Sequence, residues 1–164
     1  MKPVQKIPYL GNDYEALFVE NSRLIIEFNN KNFYLNEKHT AKMEEHLNNW
    51  YIRRAKEIII PKVIHFANKY VFKVNVIKLK NTKSRWGSCS HTNNININWH
   101  LVKAPPEVID YVIIHELVHT DVKGHSKNFW RNVESYIPNY KLHENWLKEN
   151  AQKILSISLT KMKN

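Results

Sequence analysis

At 164 residues, with 43% hydrophobic residues and five Trp, eight Tyr and six Phe, the chain can build one buried core and does not have the composition of a disordered protein. Its single cysteine, Cys89, excludes an internal disulfide framework and suits a reducing compartment. The formal charge of +10 is scattered apart from a cluster at Lys78–Arg85, so it favours anionic contacts of low specificity, weak non-specific nucleic-acid binding among them.

Met1–Lys6 starts basic but has no apolar run behind it, so no leader is expected. Stretches such as Tyr111–Ile114 are far too short to span a membrane, and the cytoplasm is the expected compartment. Residues 1–36 read as a β-rich part, with turns at Gly11-Asn12-Asp13 and Asn29–Asn32 between short apolar strands. Residues 37–70 read as helix, because Met43, Leu47, Trp50, Arg54 and Ile58 follow steps of three and four. Pro61 is expected to kink that helix or divide it.

Val71–Leu79 reads as a strand, and Thr82–Thr92 as a polar loop holding Arg85 and Trp86. Asn94–Trp99 alternates strictly, which predicts a half-buried strand with Ile95, Ile97 and Trp99 inward and Asn94, Asn96 and Asn98 on the other face. A helix is expected from Pro105-Pro106 to about Thr120, a second from the N-cap Ser126 to Pro138, and a third over Leu142–Leu155. No repeat or linker separates these pieces. One α+β domain over 1–164 is expected, with 71–164 carrying the chemistry.

That chemistry centres on His115-Glu116-Leu117-Val118-His119, an HExxH pattern. Residues four apart share a helix face, so both imidazoles can reach one ion. Glu116 is turned about 100° away, placed to miss a metal yet touch its water as a general base. Apolar neighbours on nearly every side predict a central helix, where two imidazoles and a carboxylate are costly unless paired or bound to metal. Zinc in a catalytic site takes three protein ligands and a water. His125, reached after a turn at Gly124, is the favoured third ligand. Glu134 is the rival, or an acceptor for a ligand imidazole.

The metzincin pattern fits poorly, since Val122 stands where it requires glycine. A wider set of motifs resembles another family. Ser84–Ser90, Asn96–Trp99, Ala104-Pro105-Pro106, Tyr111–Leu117, His125-Ser126, Phe129-Trp130 and Pro138-Asn139-Tyr140 are similar to the YgjP-like metal-dependent hydrolases, over roughly residues 9–150. These are grouped with zincin metallopeptidases and are distantly SprT-like. The resemblance implies a zincin-like fold: a small antiparallel or mixed sheet, a central HExxH helix and C-terminal helices. It implies Zn²⁺ held by His115, His119 and His125, with Glu116 catalytic, and amide-bond cleavage of a peptide or protein. A nucleoside-triphosphate (UTP) pyrophosphatase, a label attached to one member, is the alternative, and a nucleic-acid-associated module with a structural metal is a third. Family members are usually longer at the N-terminus.

Arg85 is a candidate catalytic residue, holding a substrate carboxylate or phosphate or steadying an oxyanion, with a structural ion pair as the other reading. Trp86 is expected to anchor its loop. The Asn94–Trp99 strand is expected at the sheet edge, free to add an extended peptide. Cys89 reads as a packed residue, with a thiolate blocking the metal as the alternative. Tyr140 and His143 are read as packing or surface residues that could reach the cleft. His39, His46, His65, His91 and His100 are read as solvent-facing or structural. Trp50 and Tyr51, beside Arg53 and Arg54, read as core next to solvated charge, or else as a face for stacked bases.

Overall fold

A computed structural model describes residues 3–156 and Leu159; Met1 and Lys2 of the leading segment, residues 157–158 and residues 160–164 lie outside the described residues. Four strands, β1 (Pro3–Tyr9), β2 (Asn12–Val19), β3 (Ile26–Phe28) and β4 (Asn32–Asn36), form a mixed sheet in the order β1-β2-β4-β3. Their inward side chains meet α1 (Met43–Tyr70) in an aromatic cluster of Tyr9, Phe28, Phe33 and Trp50, with T-shaped contacts at 5.0–5.9 Å around Trp50. Trp50 and Tyr51 are both buried, which leaves neither ring free to stack on a base.

The helix predicted over 37–70 is a short 3-10 turn, Glu37–Lys42, followed by 28 continuous α-helical residues. Pro61 does not divide it. Pro61 and Glu57, whose carbonyl loses its partner, both lie on the exposed side, where water can take over that hydrogen bond. The helix ends because Val71 turns left-handed, at φ 60°. That turn shortens the strand expected at Val71–Leu79 to β5, Ile77–Lys80. Phe72 and Val74 pack against the core from irregular chain, whereas Val76 is 38% exposed.

A second sheet has the order β5-β7-β6, with β6 at Gly87–Cys89 and β7 at Ile95–Asn98. β7 runs parallel to β5 and antiparallel to β6. Ile95, Ile97 and Trp99 face inward as the alternation predicts. A 3-10 turn, Trp99–Lys103, leads into α2, Pro106–Val118, which is buried on nearly every side. Then follow α3, Lys127–Tyr136, started by the Ser126 hydroxyl accepting from the Phe129 N–H, and α4, Tyr140–Leu155. The fold is α+β, with two small mixed sheets around a central helix. Among the described residues, no helix is long and apolar enough to cross a membrane.

Candidate active site

His115 and His119 end one face of α2, and the turn through Gly124, at φ +78°, brings His125 back to them. The Nε2 atoms of His119 and His125 are 3.3 Å apart, and those of His125 and His115 are also 3.3 Å apart. Three nitrogens at about 2.0–2.1 Å from a tetrahedral ion stand roughly 3.3–3.4 Å from one another, so this spacing fits one zinc-sized cation. The protons fit as well. The His119 Nδ1–H donates to the Val122 carbonyl at 3.1 Å, which leaves its Nε2 lone pair free to bind metal. Burial, and then His119 and His125, push the His115 pKa down to about 3, so its ring is neutral.

Phe129, fully buried on α3, stacks on His119 at 4.2 Å and meets His115 and His125 edge-on at 4.9 and 5.1 Å. One aromatic ring thus fixes all three imidazoles. Its place on the apolar face of α3 was legible in the sequence, but this positioning role was not.

Glu116 is 5% exposed and its carboxyl is hydrogen-bonded to no described residue. Burial pushes its pKa up to about 8, and the Arg85 guanidinium opposes the rise. Gly87 makes room for it. A Cβ at position 87 would lie 2.8 Å from Glu116 Cγ, 2.9 Å from its Oε1 and 3.0 Å from the Asn96 carbonyl oxygen. The sequence reading passed over Gly87, because the need for a missing side chain arises only when β6 is laid beside α2.

A cleft of about 710 Å³ runs between β6 and α2, walled further along by α4. Contrary to expectation, the Asn94–Trp99 segment is not the sheet edge: β7 is paired on both sides, so no peptide can add to it. β6 is the strand that borders the cleft. Asn98 N–H donates to the Trp86 carbonyl and Ser90 N–H to the Asn94 carbonyl, so the alternation of an antiparallel pair turns the N–H and C=O of Gly87 and Cys89 outward.

The asparagine face holds the loop in place. Asn98, 1% exposed, donates from Nδ2 to the carbonyls of Thr82 and Arg85 at 2.8 and 3.1 Å, and Asn96 donates to the Ser88 hydroxyl at 3.1 Å. Asn98 is therefore an anchor of this loop, while Trp86 is only half-buried and itself lines the cleft. The Arg85 guanidinium is exposed, forms no ion pair among the described residues and lines the cleft. At the other end Lys123 spans from the His125 loop to the β6–β7 turn, donating to the Ser90 carbonyl at 3.0 Å and to Asn93 Oδ1 at 2.8 Å.

Other candidates fall outside the cluster. Glu134 is exposed and bonds to no imidazole. Tyr140 is buried, stacked 5.2 Å from Trp130, and neither it nor His143 lines the cleft. Cys89 is half-buried beside Lys123, its thiol pushed up by burial, and is not grouped with the three imidazoles. His91 is exposed at the cleft wall. His100 is buried against Lys103.

One solved structure shares part of this architecture, and a second is matched at a lower score. The metallopeptidase zymogen abylysin of Pyrococcus abyssi is 23% identical and aligns over 58% of this chain and 96% of its own, with a TM-score of 0.52. The zymogen jannalysin of Methanocaldococcus jannaschii is also 23% identical, over 60% and 96%, with a TM-score of 0.44. Among curated proteins no sequence matches significantly. The model of the YgjP-like metallopeptidase domain matches residues 1–150, nearly the whole sequence. The chain therefore belongs to the YgjP-like metallopeptidase-domain family, and with it to the metal-dependent hydrolases.

Proposed function

We propose that this protein cleaves peptide bonds, with Zn²⁺ held by His115, His119 and His125 and Glu116 as general base. The reading rests on three imidazoles whose ligand nitrogens lie within 4.8 Å of one another, two of the pairs at 3.3 Å, beside a carboxyl that faces the cleft. An all-imidazole site suits zinc, which when bound supplies a Lewis acid for the scissile carbonyl and lowers the pKa of water.

The chain's own residues do the rest. The Val122 carbonyl keeps the proton on His119 Nδ1, and Phe129 holds the three rings in register. Glu116, as the carboxylate, takes a proton from the attacking water and returns it to the leaving amine. An extended peptide pairs with the outward groups of Gly87 and Cys89, which lays its carbonyl beside Glu116. Arg85, free of any carboxylate partner, steadies negative charge at the cleft mouth. Elemental analysis of purified protein is expected to give one zinc per chain, and a chelator is expected to abolish peptide cleavage. Cleavage that persists after complete metal removal, or an ion bound without His125, would overturn the assignment.

A further inference from the structure

The two ends of the cleft differ in chemistry. Toward Cys89 the walls are polar: Lys123 closes that end by its bonds to the β6–β7 turn, and His91 stands beside it. Toward Trp86 the walls are apolar. One α2 turn before His115, Val112 and Tyr111 face α4, whose residues 144, 147, 148 and 151 share a helical face. Leu147 and Ala151 on that face, with Trp86 opposite, complete an apolar recess that opens into the same cavity as His115 and Glu116. The charged groups that line the cavity near it are Glu144, Lys148 and Arg85. Glu144 is paired with Lys148 at 3.0 Å, and Arg85 stands exposed at the rim.

From this we infer that the recess of Val112, Leu147, Ala151 and Trp86 selects the substrate: it takes a bulky apolar or aromatic side chain on a residue flanking the scissile bond. This rests on the peptide-hydrolase reading. The occupant follows from continuity with the metal site, since a peptide aligned on β6 with its carbonyl at Glu116 must place a neighbouring side chain between α2 and α4. A small or charged side chain there leaves apolar wall facing water or buries an unpaired charge, whereas Leu, Met or Phe covers the wall.

Zinc-loaded protein incubated with peptides randomised around one cleavable bond is expected to cut those with Leu, Met or Phe at one flanking position at least ~10-fold faster than those with Gly, Ser or Asp, the scale of discrimination an apolar pocket provides. Ala151→Leu narrows the recess and is expected to lower the Phe-over-Ala ratio of kcat/KM about 10-fold. Leu147→Ala widens it and is expected to move the ratio toward Phe or Trp. Circular dichroism identifies any variant that fails to fold, and either variant alone suffices to test the ratio.

Cleavage without side-chain preference, or an unchanged ratio in a folded variant, overturns the inference and leaves the hydrolase reading standing. If no peptide is cut, binding to zinc-loaded Glu116→Gln decides: an about 10-fold preference for Phe peptides over Gly peptides keeps the subsite and removes the hydrolase reading. No cleavage and no binding preference overturns both.

Discussion

Below the N-terminal sheet, Lys103 is 1% exposed, yet its Nζ donates to the Ile154 carbonyl at 2.8 Å, contacts His100 Nδ1 at 2.9 Å and sits over the Tyr51 and Trp99 rings at 4.6 and 5.5 Å. Across the molecule Glu116 is nearly as buried, and no described residue hydrogen-bonds to its carboxyl. Both arrangements keep ionisable groups from water. At Lys103 the fold supplies two hydrogen-bond partners and two aromatic faces for Nζ and uses it to fasten the last turn of α4. At Glu116 the fold leaves the carboxyl facing the cleft, where burial raises its pKa. Burial alone therefore does not distinguish these two groups; the presence or absence of a hydrogen-bond partner among the described residues does.

The largest test of that contrast is Glu116→Gln. It is expected to lower kcat by about 10²–10⁴-fold while zinc content stays near one per chain, because the side chain lies off the imidazole face. Loss of zinc together with activity would make Glu116 a ligand. Gly87→Ala comes next: crowding Glu116 at 2.8–2.9 Å is expected to lower kcat about 10–100-fold with KM little changed. In the metal-free protein its thermal cost should shrink when Glu116 is also changed to Ala. An equal cost in both backgrounds would place the strain at the Asn96 carbonyl instead.

On the other side of the comparison, Lys103→Ala is expected to cost about 3 kcal/mol of stability, since it opens a cavity and strands the Ile154 carbonyl. Denaturant titration measures it. The pH dependence carries a definite sign. Burial lowers the Lys103 pKa from 10.5 to about 7, so the folded chain binds fewer protons than the unfolded one between those values. The stability this group contributes is present above 10.5 and is lost as pH falls toward 7. His100, lowered from 6.5 to about 4 by burial and then by Lys103, loses its contribution as pH falls from 6.5 through 4. Stability that does not change between pH 7 and 10, or a slope that Lys103→Met leaves intact, would assign the alkaline effect elsewhere.

The smallest structural effect belongs to Arg85→Ala. The guanidinium is exposed and unpaired, so Tm should move by no more than about 1 °C while kcat/KM falls about 10-fold. Asn98→Ala, which frees the carbonyls of Thr82 and Arg85, should show the reverse balance.

The sequence displayed the parts of this protein whose signals are local. HExxH spacing, the apolar surroundings of α2, the Ser126 cap and the Ile95–Ile97 alternation all depend on neighbours within a turn or two of chain. What it could not display depends on strand neighbours far away. Asn94, Asn96 and Asn98 looked like a free face because alternation says which side chains share a side, not which strands lie on either edge. β5 and β6 occupy both edges, and the asparagine side chains are committed: Asn98 to the carbonyls of Thr82 and Arg85, Asn96 to the Ser88 hydroxyl and Asn94 to Asn75. The roles of Gly87 and Phe129 were not legible for the same reason: each matters through a residue that only the tertiary fold brings near.

The tip of the β1–β2 hairpin has a consequence for how the chain reaches this state. Leu10 and Gly11 donate their backbone N–H groups to the carbonyls of Val102 and Lys103, both at 3.0 Å, and Gly11, at φ +84°, packs so closely that a Cβ would lie 2.8 Å from Pro105 Cα. The clasp joins the hairpin to a segment about 90 residues later, and Lys153 donates to Asp13, 140 residues away. At about 5–20 residues per second, a ribosome delivers Val102 roughly 5–20 seconds after Leu10. The N-terminal sheet must wait that long for its lock. Until then the hairpin tip lacks the two backbone hydrogen bonds that tie it to the chain before α2, so this part of the fold depends on contacts of high sequence separation.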